Sequence, residues 1–231
     1  MATAKKTDDA IVINMEKIEE KTVKLRIVGD TPLIMHCWSE KAKKQMLDAM
    51  TGASKGKKKE PKRPVVEFIN SMNWLSHKPE LPDDCTDEQA EQLFNEAIEA
   101  GAEFGFPAMA FKLAANSAAY RLGWVKNQMG LRGAYYIRPQ VGDFVVIHSD
   151  PPVMREDPVT VGMGGTDLRY RGEFRNWYAD IELSYTPAFG FSLEALVNIL
   201  NAGGYACGVG EWRTERDGLY GKFHVQTVNE A

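Results

Sequence analysis

The chain has no apolar run near the roughly 20 residues that cross a bilayer, and its opening MATAKKTDDA lacks the hydrophobic stretch of a secretory signal. These absences predict a cytoplasmic protein with no membrane partner. Cysteine is scarce: Cys37, Cys85 and Cys207 are odd in number and far apart, which excludes a disulfide framework and suits a reducing compartment. Nucleophile elbows of the GxSxG kind, HExxH pairs and cysteine–histidine spacings for zinc are all missing. The glycines of 162–165 and 208–210 are followed by neither Lys-Ser nor Lys-Thr and form no GxGxxG, which argues against a nucleotide cradle. The reading is therefore of a non-enzyme that needs no cofactor and no metal.

A net basic charge is lacking too: 28 Lys and Arg face 32 Asp and Glu, for a net charge of −4. The distribution is more informative. Lysine dominates the first hundred residues and arginine the rest, and Arg makes planar, bidentate and stacking contacts that Lys does not. From Phe104 to Gly142 there is no acidic residue at all. That stretch interleaves Lys112, Arg121, Lys126, Arg132 and Arg138 with Phe111, Tyr120, Trp124, Tyr135 and Tyr136. Cations to track a phosphate backbone, with rings on which bases stack, are the ingredients of single-strand binding surfaces. The competing reading, that each aromatic belongs to the core, holds for most aromatics in globular chains.

At 231 residues and 44% hydrophobic composition, the chain supports one domain with a sizeable core. Residues 22–29, TVKLRIVG, alternate at period two and predict a strand. Ser39 and Glu40 open a short helix carrying Ala42, Met46, Leu47 and Met50. Residues 53–64 hold six cations and no large apolar group, which predicts a mobile basic loop. Residues 65–103 then read as a helical insertion, its second helix capped by Thr86 and Gln89. A proline-led helix is expected over 107–122 and strands over 134–137 and 144–148. Residues 150–175 are too rich in Gly and Pro for a central strand and too long for a turn, so an extended hairpin is expected. After an alternating strand over 176–186, Ser192 caps a helix predicted to stop at Gly203 and Gly204. Two last strands are expected over 205–213 and 219–227. This order gives an α+β fold of split βαβ type.

Three segments together resemble the RAMP superfamily, ferredoxin-like proteins that include the guide-RNA backbone subunits of CRISPR effector complexes. They are VGDTPLIMH at 28–36, GFPAMAFKLAANSAAYR at 105–121 and GVGEWRTERDGLYGKFHV at 208–225. The first resembles the strand and Thr-Pro-Leu turn that open many of these proteins, the second their proline-led helix with a basic residue at Lys112, and the third their C-terminal glycine-rich loop. The second segment departs from the family's usual Gly-Ser-Ser-Leu-Lys-Gly pattern, running Ala108-Met109-Ala110-Phe111-Lys112-Leu113, so that the lysine matches and the glycine does not. The resemblance implies a ferredoxin-like antiparallel sheet with helices on one face and a thumb-like hairpin at 150–175. It also implies a non-catalytic protein that binds single-stranded RNA or DNA and repeats along the strand as a homo-oligomer or filament. A guide complex and a phage-type single-stranded DNA module both fit.

The expected nucleic-acid contacts are Lys112, Arg121, Lys126 and Arg132, then Arg169, Arg171 and Arg175 of the hairpin, and Arg213 and Lys222 of the C-terminal loop. Two rivals stand beside this reading. One is an endoribonuclease with His36 as general base and Asp30 nearby. The other is a structural or anti-defence protein that docks on a protein partner through the same hairpin.

Overall fold

The structure is a computed structural model and describes residues 18–37, 40–52, 61–161 and 165–227. Strand β1 (Lys21–Gly29) begins the largest sheet, and β2 (Leu33–Met35) follows after a turn. Helices α1 (Glu40–Met50), α2 (Pro64–Asn70) and α3 (Asp87–Glu99) come next. Then come β3 (Phe104–Pro107), α4 (Ala108–Arg121), α5 (Met129–Ala134), β4 (Tyr135–Arg138) and β5 (Phe144–Ile147). The hairpin of β6 (Val153–Val161) and β7 (Gly165–Phe174) leads to β8 (Tyr178–Tyr185), α6 (Leu193–Ala206) and β9 (Phe223–Thr227).

The fold is α+β with antiparallel sheets. The main sheet has the order β4, β8, β1, β9, so β1 and β4 run parallel with β8 between them. Alternation along β1 puts Leu25 and Ile27 on the same face as Ile181, Ala179 and Ile137, and α4 and α6 pack there. The other face carries Lys24, Arg26, Tyr136, Arg138, Tyr178 and His224. A second sheet, β2, β7, β6, holds the hairpin, and a two-stranded β3–β5 ribbon completes the set. Aromatic rings join these parts: Phe111 lies 5.4 Å from Phe223 and 6.3 Å from Trp177, and Phe104 lies 5.3 Å from Phe174. Trp177 also donates its indole N–H to the Thr31 carbonyl at 2.8 Å.

Several expectations hold in form. Thr86 and Gln89 make a reciprocal capping box at α3, Ser192 caps α6, and Gly123 follows α4 with a φ of +71°. Others need correction. The helix expected to stop at Gly203 and Gly204 runs through both to Ala206, and no strand forms over 205–213. The reason is packing. A Cβ on Gly203 would lie 2.6 Å from the Ala115 backbone, and one on Gly204 would lie 1.9 Å from the Phe223 carbonyl oxygen. These glycines are there for close approach within a helix. Strand β3 is hidden in the sequence because Pro107 reads as a helix start, and β2 is only three residues long.

The basic loop splits. Residues 53–60 lie outside the described residues, whereas Lys62 and Arg63 are fastened. Lys62 pairs with Asp167 at 2.7 Å, and Arg63 donates to the carbonyls of Asp83 and Cys85. The hairpin is also less separate than expected: Arg171 to Phe174 are buried, and β7 pairs with β2. Its turn, 162–164, lies outside the described residues, as does Ser39. Among the described residues no helix is long and apolar enough to cross a membrane.

Gly204→Ala is expected to destabilise the fold by about 2 kcal/mol or more, against the gain of roughly 1 kcal/mol that Ala normally brings to a helix interior. Gly130→Ala in α5, where nothing lies within 4 Å of the new Cβ, should instead be neutral or stabilising. Urea unfolding of the two variants checks the contrast.

Candidate nucleic-acid interface

Helix α4 meets α6 through small residues, since Ala114, Ala115, Ala118 and Ala119 are all buried. Phe111 and Lys112 also turn inward, whereas Met109, Leu113 and Tyr120 lie on one outward stripe and are more than half exposed. Leu122, Trp124 (54% exposed) and Met129 (74%) extend this surface past the helix end. The backbone of Trp124 is held by the Ala119 carbonyl at 3.0 Å, and Asn127 accepts from the Met129 N–H to start α5. Lys126 and Arg132 stand on this stretch, both exposed, and neither has an ion pair or side-chain hydrogen bond among the described residues.

Lys112 behaves differently. It is 8% exposed and donates its ammonium N–H to the Arg132 carbonyl at 2.7 Å, with the Tyr136 ring 4.3 Å away. Burial pulls its pKa below the ordinary lysine value. Beneath it, Tyr135 donates its hydroxyl to Asn116 at 2.9 Å, and burial pushes that phenol upward. Lys112 thus ties α5 and β4 to the middle of α4 and offers little surface to a phosphate. Phe104, Phe106, Phe111 and Tyr135 are core, while Tyr120, Trp124 and Tyr136 are exposed.

The remaining expected contacts divide by partner. Arg171 is 5% exposed, bonded to Asp157 at 3.0 Å and Glu211 at 3.4 Å, with Trp212 nearby. It belongs to a buried network at the base of the hairpin in which Arg155 reaches Asp157, Glu173 and the Tyr220 hydroxyl. Burial raises the Asp157 pKa, but hydrogen bonds from Arg155, Arg171 and Trp212 outweigh it and hold the carboxyl below its ordinary value. Arg175 pairs with Glu173 at 2.7 Å and Arg169 with Asp167 at 3.3 Å. Arg121 and Arg213 share Glu215, at 2.8 and 3.1 Å, and Ser117 donates to the same carboxylate. Among the described residues Lys222 has no carboxylate partner, and it lies 5.2 Å from the Tyr205 ring. The C-terminal loop is packed structure: Glu211 N–H bonds the Ile34 carbonyl, Gly221 N–H bonds the Pro32 carbonyl, and Gly208, Gly210 and Gly221 have positive φ.

His36 and Asp30 are not brought together. The Asp30 carboxylate bonds His224 Nδ1 at 2.6 Å, an exposed pair that sequence spacing did not suggest. His36 is partly buried, and desolvation, followed by the Arg171 charge, lowers its pKa. A shallow cleft of about 290 Å³ between β3, β5 and residues 149–152 is lined by Glu103, His148 and Asp150 among apolar groups. With two carboxylates and no Lys or Arg on its walls, it suits a backbone phosphate poorly. Among the described residues no group of three or more His, Cys, Asp or Glu is placed to hold a metal. Comparison with protein-family models and with curated proteins finds no match.

Two outcomes follow. Lys112→Ala should cost about 1–3 kcal/mol in denaturant unfolding through its lost bond and packing, whereas Arg132→Ala should stay within about 0.5 kcal/mol. His36 has a folded pKa below its unfolded one, so the unfolded chain takes up the proton first and acid favours unfolding. The melting temperature should therefore fall as pH drops from about 7 to about 5.5, through the ordinary histidine value, and His36→Gln should flatten that fall.

Proposed function

We propose that this protein is a non-catalytic, single-stranded nucleic-acid-binding subunit of RAMP-like, ferredoxin-like build. Two features support the fold part. The sheet order β4, β8, β1, β9 places β8 between the parallel strands β1 and β4, and α4 and α6 cover one face. Both features support the reading of a split βαβ unit.

One observation carries the function. Lys126 and Arg132 are solvent-facing cations without side-chain partners among the described residues, on a stretch that also exposes Tyr120, Trp124 and Tyr136 and contains no carboxylate of its own. Uncommitted cations capture phosphates by releasing counterions, and exposed rings stack bases without regard to sequence. Lys112 positions this corner by holding the Arg132 backbone and the Tyr136 ring. Lys222, beside Tyr205, is a third cation without a carboxylate partner among the described residues for the strand to reach. Arg121, Arg169, Arg175 and Arg213 are neutralised by their own carboxylates and contribute less. In this reading copies repeat along the strand, with the hairpin's exposed Val153, Met154 and Leu168 meeting the neighbour.

Lys126→Ala with Arg132→Ala should reduce the slope of log affinity against log salt by about 1.4 for an unstructured oligonucleotide, from two phosphates at roughly 0.7 each. Trp124→Ala should cost about 1–3 kcal/mol with little change of slope. Fluorescence anisotropy across a salt series reads both. Unchanged affinity and slope in correctly folded variants would remove this corner from the interface.

A further inference from the structure

The stretch that precedes the acid-free segment is its opposite. Residues 80–103 contain nine Asp and Glu and no Lys or Arg. Helix α3 packs on α2 through Ala90, Phe94 and Ala97, and turns Glu88, Glu91 and Glu99 to solvent. Among the described residues none of these nine carboxylates has an ion pair with a Lys, Arg or His, and none with a residue outside them. The chain therefore carries an unneutralised acidic face on α3 and an unneutralised basic face at the α4–α5 corner. Several other cations do find acids closely: Arg26 with Asp180, Arg138 with Glu20 and Glu182, and Arg121 with Glu215.

The basic corner also leaves Met109, Leu113, Tyr120, Leu122, Trp124 and Met129 at least half exposed. Met109, Leu113 and Tyr120 share one stripe of α4, and large apolar side chains left exposed in this number on one stretch of chain point to an interaction site rather than an ordinary solvated face. The two complementary faces lie on different elements of one molecule and do not satisfy each other within it. Such a pair meets between copies, as a heterologous contact in which the donor face of one molecule seats on the acceptor face of another.

We propose that the α4–α5 corner of one copy receives the acidic α3 face of a second copy. Lys126 and Arg132 draw in Glu91 and Glu99 of the arriving helix, and the apolar stripe beside them loses water on contact. The contact stands without the nucleic-acid reading, because it needs only the two faces. Where that reading also holds, strand and helix use the same two cations, so one copy's corner takes one or the other. Self-association through α3 then belongs to the nucleic-acid-free protein and is displaced by a bound strand.

The test is a charge exchange followed by sedimentation velocity of nucleic-acid-free protein. The parent should self-associate at about 50 mM salt, and at least about tenfold more weakly at about 500 mM, because exposed charges are screened. The variant Glu91→Lys with Glu99→Lys and the variant Lys126→Glu with Arg132→Glu should each be monomeric alone, since each brings like charges together. Mixed at equal concentration, the two should associate, because each now offers the face the other needs. A parent that is monomeric at low salt, a variant that associates alone as the parent does, or a mixture that stays monomeric would overturn the proposal. If either variant fails to fold by circular dichroism, the salt response of the parent and mixing of the remaining variant with parent decide. Adding an unstructured oligonucleotide at low salt separates the two readings. An oligonucleotide that fails to bind counts against the nucleic-acid reading alone. One that binds without dissolving the association counts against the shared corner.

Discussion

The molecule depends on how closely α6 approaches its neighbours at two glycines. With no side chain at Gly203 the helix lies against the backbone of α4 at Ala115, and with none at Gly204 it lies against the Phe223 carbonyl of β9. This contact sets the thickness of the helical layer over the main sheet. It also decides what α4 presents. A helix that meets its partner through alanines has no room inside for Met109, Leu113 or Tyr120, so those residues face solvent. The exposed surface that carries the functional reading is thus a by-product of tight packing on the opposite side of the same helix.

Charge is organised by the same economy of contacts. Most arginines of the second half sit within reach of a carboxylate on a neighbouring strand or loop, and the network at the hairpin base is buried enough that these pairings are structural. A buried charge whose partner is removed costs far more than an exposed pair contributes, so such arginines are poor candidates for binding an external anion. Among the described residues Lys126 and Arg132, in the stretch that carries no acid, and Lys222 beyond it have no carboxylate partner. Two other cations of that stretch, Arg121 and Arg138, meet acids that the fold brings in from elsewhere, Glu215 for the first and Glu20 with Glu182 for the second.

Much of this was legible beforehand, and the failures have physical causes. The period-two strands β1 and β8 alternate cleanly because one face is buried and the other is not. The capping box at Thr86 and the cap at Ser192 are local, so the sequence carries them whole. The continuation of α6 through two glycines was not readable, because it rests on Ala115 and Phe223, both distant in sequence. Likewise, Lys112 and Arg171 look like Lys126 and Arg132 on the page. Only the folded chain distinguishes a cation that holds α5 to α4, or a hairpin to its base, from one left facing solvent. The pairing of Asp30 with His224 rather than with the nearby His36 is of the same kind.

The sheet order has a bearing on biosynthesis. β1 lies between β8 and β9, so the first strand of the main sheet to leave the ribosome has both hydrogen-bonding edges open until residues 178–185 and then 223–227 arrive. For most of translation an apolar strand holding Leu25 and Ile27 is a template for any extended chain nearby. The polar alternates Lys24 and Arg26 keep one face of that strand charged during the interval, which discourages pairing with a stray apolar strand. In the finished sheet Arg26 then takes Asp180 of β8 as its partner, so the charge exposed early is matched when the late strand arrives.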